Sequence, residues 1–103
     1  MESKIVLKKA LQAGKMMGIF SQGRDILIAN VEGKYYAIGN ICTHEGCTLS
    51  EGDLSGEAVQ CPCHGSIFNL KTGEVIQGPA AKPEPTYKVK SEDDHNLLIE
   101  PSM

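Results

Sequence analysis

Apolar positions along the chain come in short alternating or continuous groups, separated by Gly, Asn, Asp and Pro. Such a pattern predicts strands and tight turns. Lys4 to Lys8 reads as a first strand, and Met16 to Phe20 as a second after the turn at Ala13-Gly14. Arg24 to Val31 is the clearest strand, and Glu32-Gly33 turns it into Lys34 to Ile38. Gly at that place supplies the positive φ a tight hairpin turn needs. Tyr87 to Lys90 and Asn96 to Glu100 form a second hairpin around the polar Glu92-Asp93-Asp94 turn. The one place for a helical turn is Lys8 to Ala13.

The middle of the chain, Gly39 to Pro85, behaves differently. It is rich in Gly, Cys, Pro and Ser, with short strand-like pieces at Ala58 to Gln60, Ser66 to Asn69 and Glu74 to Gln77. All four Cys and two of the three His lie in it. A long, weakly regular insert inside a small domain is usually functional.

Composition narrows the picture. With 103 residues there is room for one compact domain. Hydrophobic residues make up 41% but aromatics only 5%, and Trp is absent, so the core rests on Ile, Leu and Val. A domain this small buries a modest share of its surface and gains from a covalent or metal staple. The net charge of -3 argues against nucleic acid or an anionic membrane as partner, and suits a partner with a basic patch. No apolar run approaches the roughly 18 residues of a membrane span, and Met1 to Lys9 lacks the ordered regions of a signal peptide. A cytoplasmic location is expected, where four Cys point to metal or redox chemistry rather than a secreted disulfide framework.

Two boxes carry that chemistry: Cys42-Thr43-His44-Glu45-Gly46-Cys47 and Cys61-Pro62-Cys63-His64-Gly65-Ser66. They resemble the C-x-H and C-x-x-H cluster-binding boxes of the Rieske family. The resemblance implies one [2Fe–2S] cluster per chain, with Cys42 and Cys61 as thiolate ligands of one iron and His44 and His64 as imidazole ligands of the other. It also implies a disulfide between Cys47 and Cys63, which sit where respiratory and photosynthetic Rieske subunits pin their two loops together.

Mixed ligation has a physical logic of its own. A [2Fe–2S] core with four thiolates is negative even when oxidised. Two neutral imidazoles in place of two thiolates remove two negative charges, so adding an electron costs less. Potentials then lie at roughly −150 to +300 mV, against about −400 mV for plant-type ferredoxins. Each imidazole keeps a second ring nitrogen, so reduction can couple to proton uptake. Gly46 and Gly65 stand where each loop must curl tightly and bring backbone N–H groups toward sulfur. Ser66 matches the family position whose hydroxyl donates to a bridging sulfide. Phe68 stands where high-potential members carry a Tyr donor to a ligand sulfur, so a lower potential is expected. Gly78-Pro79-Ala80 resembles the loop that covers the cluster, with Pro79 part of a stiff, water-excluding lid.

Blander readings exist for each feature. Zinc takes the same donor atoms, although structural zinc sites favour C-x₂-C knuckles and this chain offers C-x-H, C-x₂-H and C-x-C. Cys47 and Cys63 as free thiols fit a reducing compartment. Ser66 also suits a turn, and Phe68 the core. His95 beside Asp94 reads as a solvated surface residue, and Met16 and Met17 as filling for the sandwich. Of Tyr35 and Tyr36, strand alternation puts one in the core and the other on the surface.

The resemblance covers nearly the whole chain and implies an all-β fold, an antiparallel β-sandwich with an inserted cluster-binding subdomain. The base is expected at 1–39 and 86–103 and the subdomain at 40–85. The expected function is a soluble one-electron carrier between a reductase and an acceptor such as an oxygenase. It is expected to be a monomer without a catalytic residue, hence not an enzyme. Its length resembles ferredoxins of ring-hydroxylating dioxygenases, whereas the extra cysteine pair and Gly-Pro-Ala resemble soluble disulfide-bearing Rieske proteins. Two rival functions are a small Rieske subunit of an enzyme complex, as in nitrite reductases, and a zinc-stabilised interaction module.

Overall fold

A computed structural model describes residues 5–8, 11–21, 23–42, 46–63, 65–78, 80, 82–91 and 96–101. Among the described residues ten strands follow in chain order: β1 (Ile5–Lys8), β2 (Lys15–Ser21), β3 (Arg24–Val31), β4 (Lys34–Gly39), β5 (Asp53–Ser55), β6 (Ala58–Gln60), β7 (Ile67–Asn69), β8 (Val75–Gln77), β9 (Thr86–Ser91) and β10 (Asn96–Pro101). A 3₁₀ helix at Leu49–Glu51 precedes β5. No helix among the described residues is long and apolar enough to cross a membrane.

The strands form two antiparallel sheets. The larger has the order β1-β10-β9-β4-β3-β2, and the smaller is the meander β5-β6-β7-β8. The β3–β4 hairpin turns at Glu32 (φ 53) and Gly33 (φ 93), the two successive positive φ values that match the twist of the flanking strands. Asn30 supports this turn by accepting at Oδ1 from the Gly33 N–H, 2.9 Å away.

β3 explains how the layers join. Its residues alternate between two apolar sets, and Ile26, Leu27, Ile28 and Ala29 are all fully buried. Leu27 and Ala29 face one core with Ile38, Leu49, Val59 and Phe68. Ile26 and Ile28 face another with Ala37 and Ile99. The strand is therefore covered on both faces, and each of its large side chains contributes roughly 1.5–3 kcal/mol by leaving water. Met16 packs against the first core and Met17 against the second, as alternation along β2 requires.

The chain leaves the large sheet after Gly39 and re-enters it at Thr86, on the neighbouring strand. Ala37 pairs with Tyr87 and Ile38 with Thr86, and the Gly39 N–H donates to the Pro85 carbonyl at 2.9 Å. The segment carrying the cysteines is thus looped out between two adjacent strands and closed at its base.

Several expectations are corrected. Leu11 and Gln12 belong to no helix and Ala13-Gly14 form the expected turn, while Lys9 and Ala10 lie outside the described residues. Tyr35 and Tyr36 are both half-buried, one against each core, because both faces of β4 are covered. β5 and the 3₁₀ helix were not expected. The Glu92-Asp93-Asp94 turn and His95 lie outside the described residues.

Candidate metal centre

Two loops of one design hold the cysteines. In the first, the Cys42 N–H donates to the Cys47 carbonyl at 2.7 Å, and the Gly46 N–H donates back to the Cys42 carbonyl at 2.9 Å. In the second, the Cys61 N–H donates to the Ser66 carbonyl at 2.7 Å, and the Gly65 N–H donates back to the Cys61 carbonyl at 3.2 Å. Gly46 has φ 78 and Gly65 φ 80, values a side chain would strain. The flanking pairs match too: Ile41 bridges Thr48, and Gln60 pairs with Ile67. The N–H groups of Gly46 and Gly65 are given to the Cys42 and Cys61 carbonyls, which is what closes each loop.

Cys42 and Cys61 occupy the same position in the two loops, each almost wholly buried and each part of the core beneath. A buried thiolate is costly unless a positive group compensates it. Two such thiols at equivalent seats therefore fit an iron that takes two thiolates. His44 and His64 lie outside the described residues, as do Thr43 and Glu45.

Cys47 and Cys63 form a disulfide with a Cα–Cα distance of 6.4 Å, tying loop to loop. The Cys61 sulfur lies within 4.8 Å of both disulfide sulfurs, so the bridge runs alongside one of the two thiol seats.

Ser66 is fully buried at the end of the second loop. Its Oγ accepts from the Ala80 N–H at 3.0 Å. Gly78, with φ 107, lies so close that a Cβ there would come within 2.5 Å of the Ser66 Cα. Gly78 and Ala80 are thereby pressed against the second loop, and Pro79 between them lies outside the described residues. Phe68, fully buried in β7, belongs to the core under both loops. At the other edge of the small sheet the Tyr36 hydroxyl donates to Glu57 Oε2 at 2.8 Å, linking β4 to the β5–β6 turn. That hydrogen bond holds the Tyr36 pKa above its ordinary value, with burial and the Glu57 charge adding to it.

Sequence reasoning missed three residues of the surround. Asn40, buried at the end of β4, bonds across the first loop's stem. Gly52 lets the 3₁₀ helix pass under β6, since a Cβ there would collide with the Gln60 carbonyl. Gly18 in β2 leaves room for Asn40 and Ser50. The repeated C-x₃-G spacing of Cys42-Gly46 and Cys61-Gly65 was a readable signal of the twin loops. Nothing local marked Asn40.

Residues 2–89 match the family described as Rieske [2Fe-2S] domain. The chain belongs to the Rieske [2Fe-2S] family. Its relatives include the ferredoxin component of the naphthalene 1,2-dioxygenase/salicylate 5-hydroxylase systems of Ralstonia sp., 38% identical over 82% of each chain. Sulredoxin of Sulfurisphaera tokodaii is 33% identical over 89% of each chain. A chain in the complex of reduced oxygenase and oxidized ferredoxin of carbazole 1,9a-dioxygenase superposes with a TM-score of 0.87 at 28% identity, covering 96% of this chain and 97% of that one. The cofactor of this Rieske chain is a [2Fe–2S] cluster, and its role is that of an electron carrier rather than an enzyme.

Proposed function

We propose that the chain is the ferredoxin of an oxygenase system, taking one electron at a time from a reductase and handing it to the oxygenase. The observation that carries this reading is the pair of equivalent, cross-linked loops presenting Cys42 and Cys61, in a chain similar over most of its length to dioxygenase ferredoxin components. In this reading Cys42 and Cys61 bind one iron, and His44 and His64 bind the other. The cluster so held supplies reversible one-electron chemistry at a potential set by its two neutral ligands. Ser66 and Pro79 tune it from the covered side, and Phe68 leaves one hydrogen-bond donor out.

Two further parts of the reading concern organisation. Residues 1–39 and 86–103 form a base, and 40–85 a cluster-binding subdomain. The strands of the large sheet all come from the first set and those of the small sheet from the second, which supports the division. The protein acts as a monomer in the cytoplasm, where cysteines such as Cys42 and Cys61 serve metal chemistry more often than a disulfide framework.

The test is a redox titration of the purified protein across pH, followed by visible absorption and electron paramagnetic resonance, with the His64→Cys variant beside the wild type. A Rieske spectrum that the oxygenase can re-oxidise, with a lower potential in His64→Cys, supports the reading. An unchanged potential removes His64 from the ligand set. Stoichiometric co-purification with one large catalytic subunit would favour a fixed subunit over a mobile carrier.

A further inference from the structure

The twin loops differ in how their stems are held. Below the second loop the ladder continues: Gln60 pairs with Ile67, then Val59 with Phe68. Below the first loop it stops after the single bridge from Ile41 to Thr48, because the chain turns into the 3₁₀ helix at Leu49. Asn40 stands where Val59 stands in the other stem, and its carboxamide takes over from the missing ladder. Oδ1 accepts from the Ser50 N–H at 2.8 Å, and Nδ2 donates to Asp25 Oδ1 at 2.9 Å. Its backbone adds two more bonds, the N–H donating to the Asp25 carbonyl at 3.0 Å and the carbonyl accepting from the Leu49 N–H at 2.7 Å.

Asn40 is 2% exposed, so its own donor and acceptor have little access to water, and loss of a partner is costly. The neighbouring strand leaves space for it. A Cβ at Gly18 would come within 2.5 Å of Asn40 Nδ2 and 2.9 Å of Ser50 Oγ. Gly18 is thus the residue that allows the clamp to close.

We infer that Asn40 is a positioning residue for the metal centre: it locks the stem of the first loop to β3 and so fixes the seat of Cys42. This rests on the reading of Cys42 as a cluster ligand. A group bonded to a metal ligand itself typically weakens metal binding by about 10–100-fold when lost; Asn40 acts one step further out, on the backbone that carries Cys42.

Asp25 makes a swap test possible. Asn40→Asp keeps the acceptor for Ser50 but sets two carboxylates against each other. The double variant Asn40→Asp/Asp25→Asn restores one donor and one acceptor in the reverse order. The holoprotein is followed by bleaching of its visible absorption under excess chelator, by the g-values of the reduced cluster, and by thermal unfolding. Asn40→Asp is expected to lose its cluster about tenfold faster with shifted g-values, and the double variant to return to wild-type behaviour. Where Asn40→Asp holds no cluster at all, recovery in the double variant decides. Wild-type bleaching and g-values in Asn40→Asp overturn the inference, as does failure of the swap to recover them. So does a lower melting temperature with unmoved g-values, which assigns Asn40 to the fold alone. A Cys42→Ser variant tests the underlying reading separately: if it keeps the wild-type cluster spectrum, Cys42 is not a ligand, whatever the Asn40 variants do.

Discussion

The Ser66 hydroxyl oxygen accepts a hydrogen bond from the backbone N–H of Ala80, inside the protein and 3.0 Å away. A hydroxyl that accepts here still has its own proton to give. One side chain can therefore latch Ala80 to the second loop and donate toward the cluster at once. Ser66→Ala separates the two roles. The buried Ala80 N–H then loses its partner, at a cost of about 1–3 kcal/mol in denaturant unfolding. The midpoint potential falls as a donor to the cluster is lost. Loss of stability with an unchanged potential would make Ser66 a latch only.

Reduction or removal of the Cys47–Cys63 bridge frees the two loops from each other. The bonded residues are separated by 16 positions, and a loop of that length is worth about 3 kcal/mol through the unfolded state. The Cys47→Ser/Cys63→Ser variant is expected to unfold at correspondingly lower denaturant. Thiol titration of denatured wild-type protein without reductant checks the bridge directly. Two reactive thiols beyond Cys42 and Cys61 would show that it does not form in solution.

Phe68→Tyr adds a hydroxyl at a fully buried position of β7. The expected outcome is a higher midpoint potential, because the new donor serves a ligand sulfur as in the tyrosine-bearing members of the family. Redox titration reads this. If the potential stays and stability drops by about 1–3 kcal/mol, the hydroxyl has met only apolar neighbours.

The Tyr36–Glu57 bond makes a small pH-dependent contribution. The Tyr36 pKa is raised, first by the hydrogen bond to Glu57, then by burial and the carboxylate charge. The folded state thus holds the phenol proton more tightly than the unfolded state does. Its stabilisation is complete below the ordinary tyrosine value of 10.0 and is lost as pH climbs through the folded value. Spectrophotometric titration of Glu57→Gln should show phenolate forming at lower pH than in the wild type. Coincident titration curves would dissolve the link.

The long strands were legible in the sequence because their residues had to satisfy two cores. The run from Ile26 to Ala29 is apolar on both faces, and Glu32-Gly33 carries the turn chemistry openly. β5 was not legible: its three residues, Asp53–Ser55, contain one apolar side chain and earn their place only by pairing with β6. The 3₁₀ helix hid for the same reason, with Leu49 its single buried residue. Of the site, the cysteines announced themselves by type and spacing. Asn40 did not, since its function comes from partners at Asp25 and Ser50, brought together by the β3–β4 hairpin and the first loop. Contacts of that sort have no periodicity to read.

Each cysteine loop is closed by hydrogen bonds between its own first and last residues. Neither loop, therefore, measures its distance from the other along the chain. Within the small sheet, the two-residue tip of the β5–β6 hairpin at Gly56-Glu57 lies outside both six-residue boxes, and added residues there would cost the Tyr36–Glu57 bond but leave both boxes intact, whereas one insertion between Cys42 and Cys47, or between Cys61 and Ser66, would unseat a thiol. Evolutionary drift in this fold should accordingly leave the boxes at fixed length and place insertions at that tip.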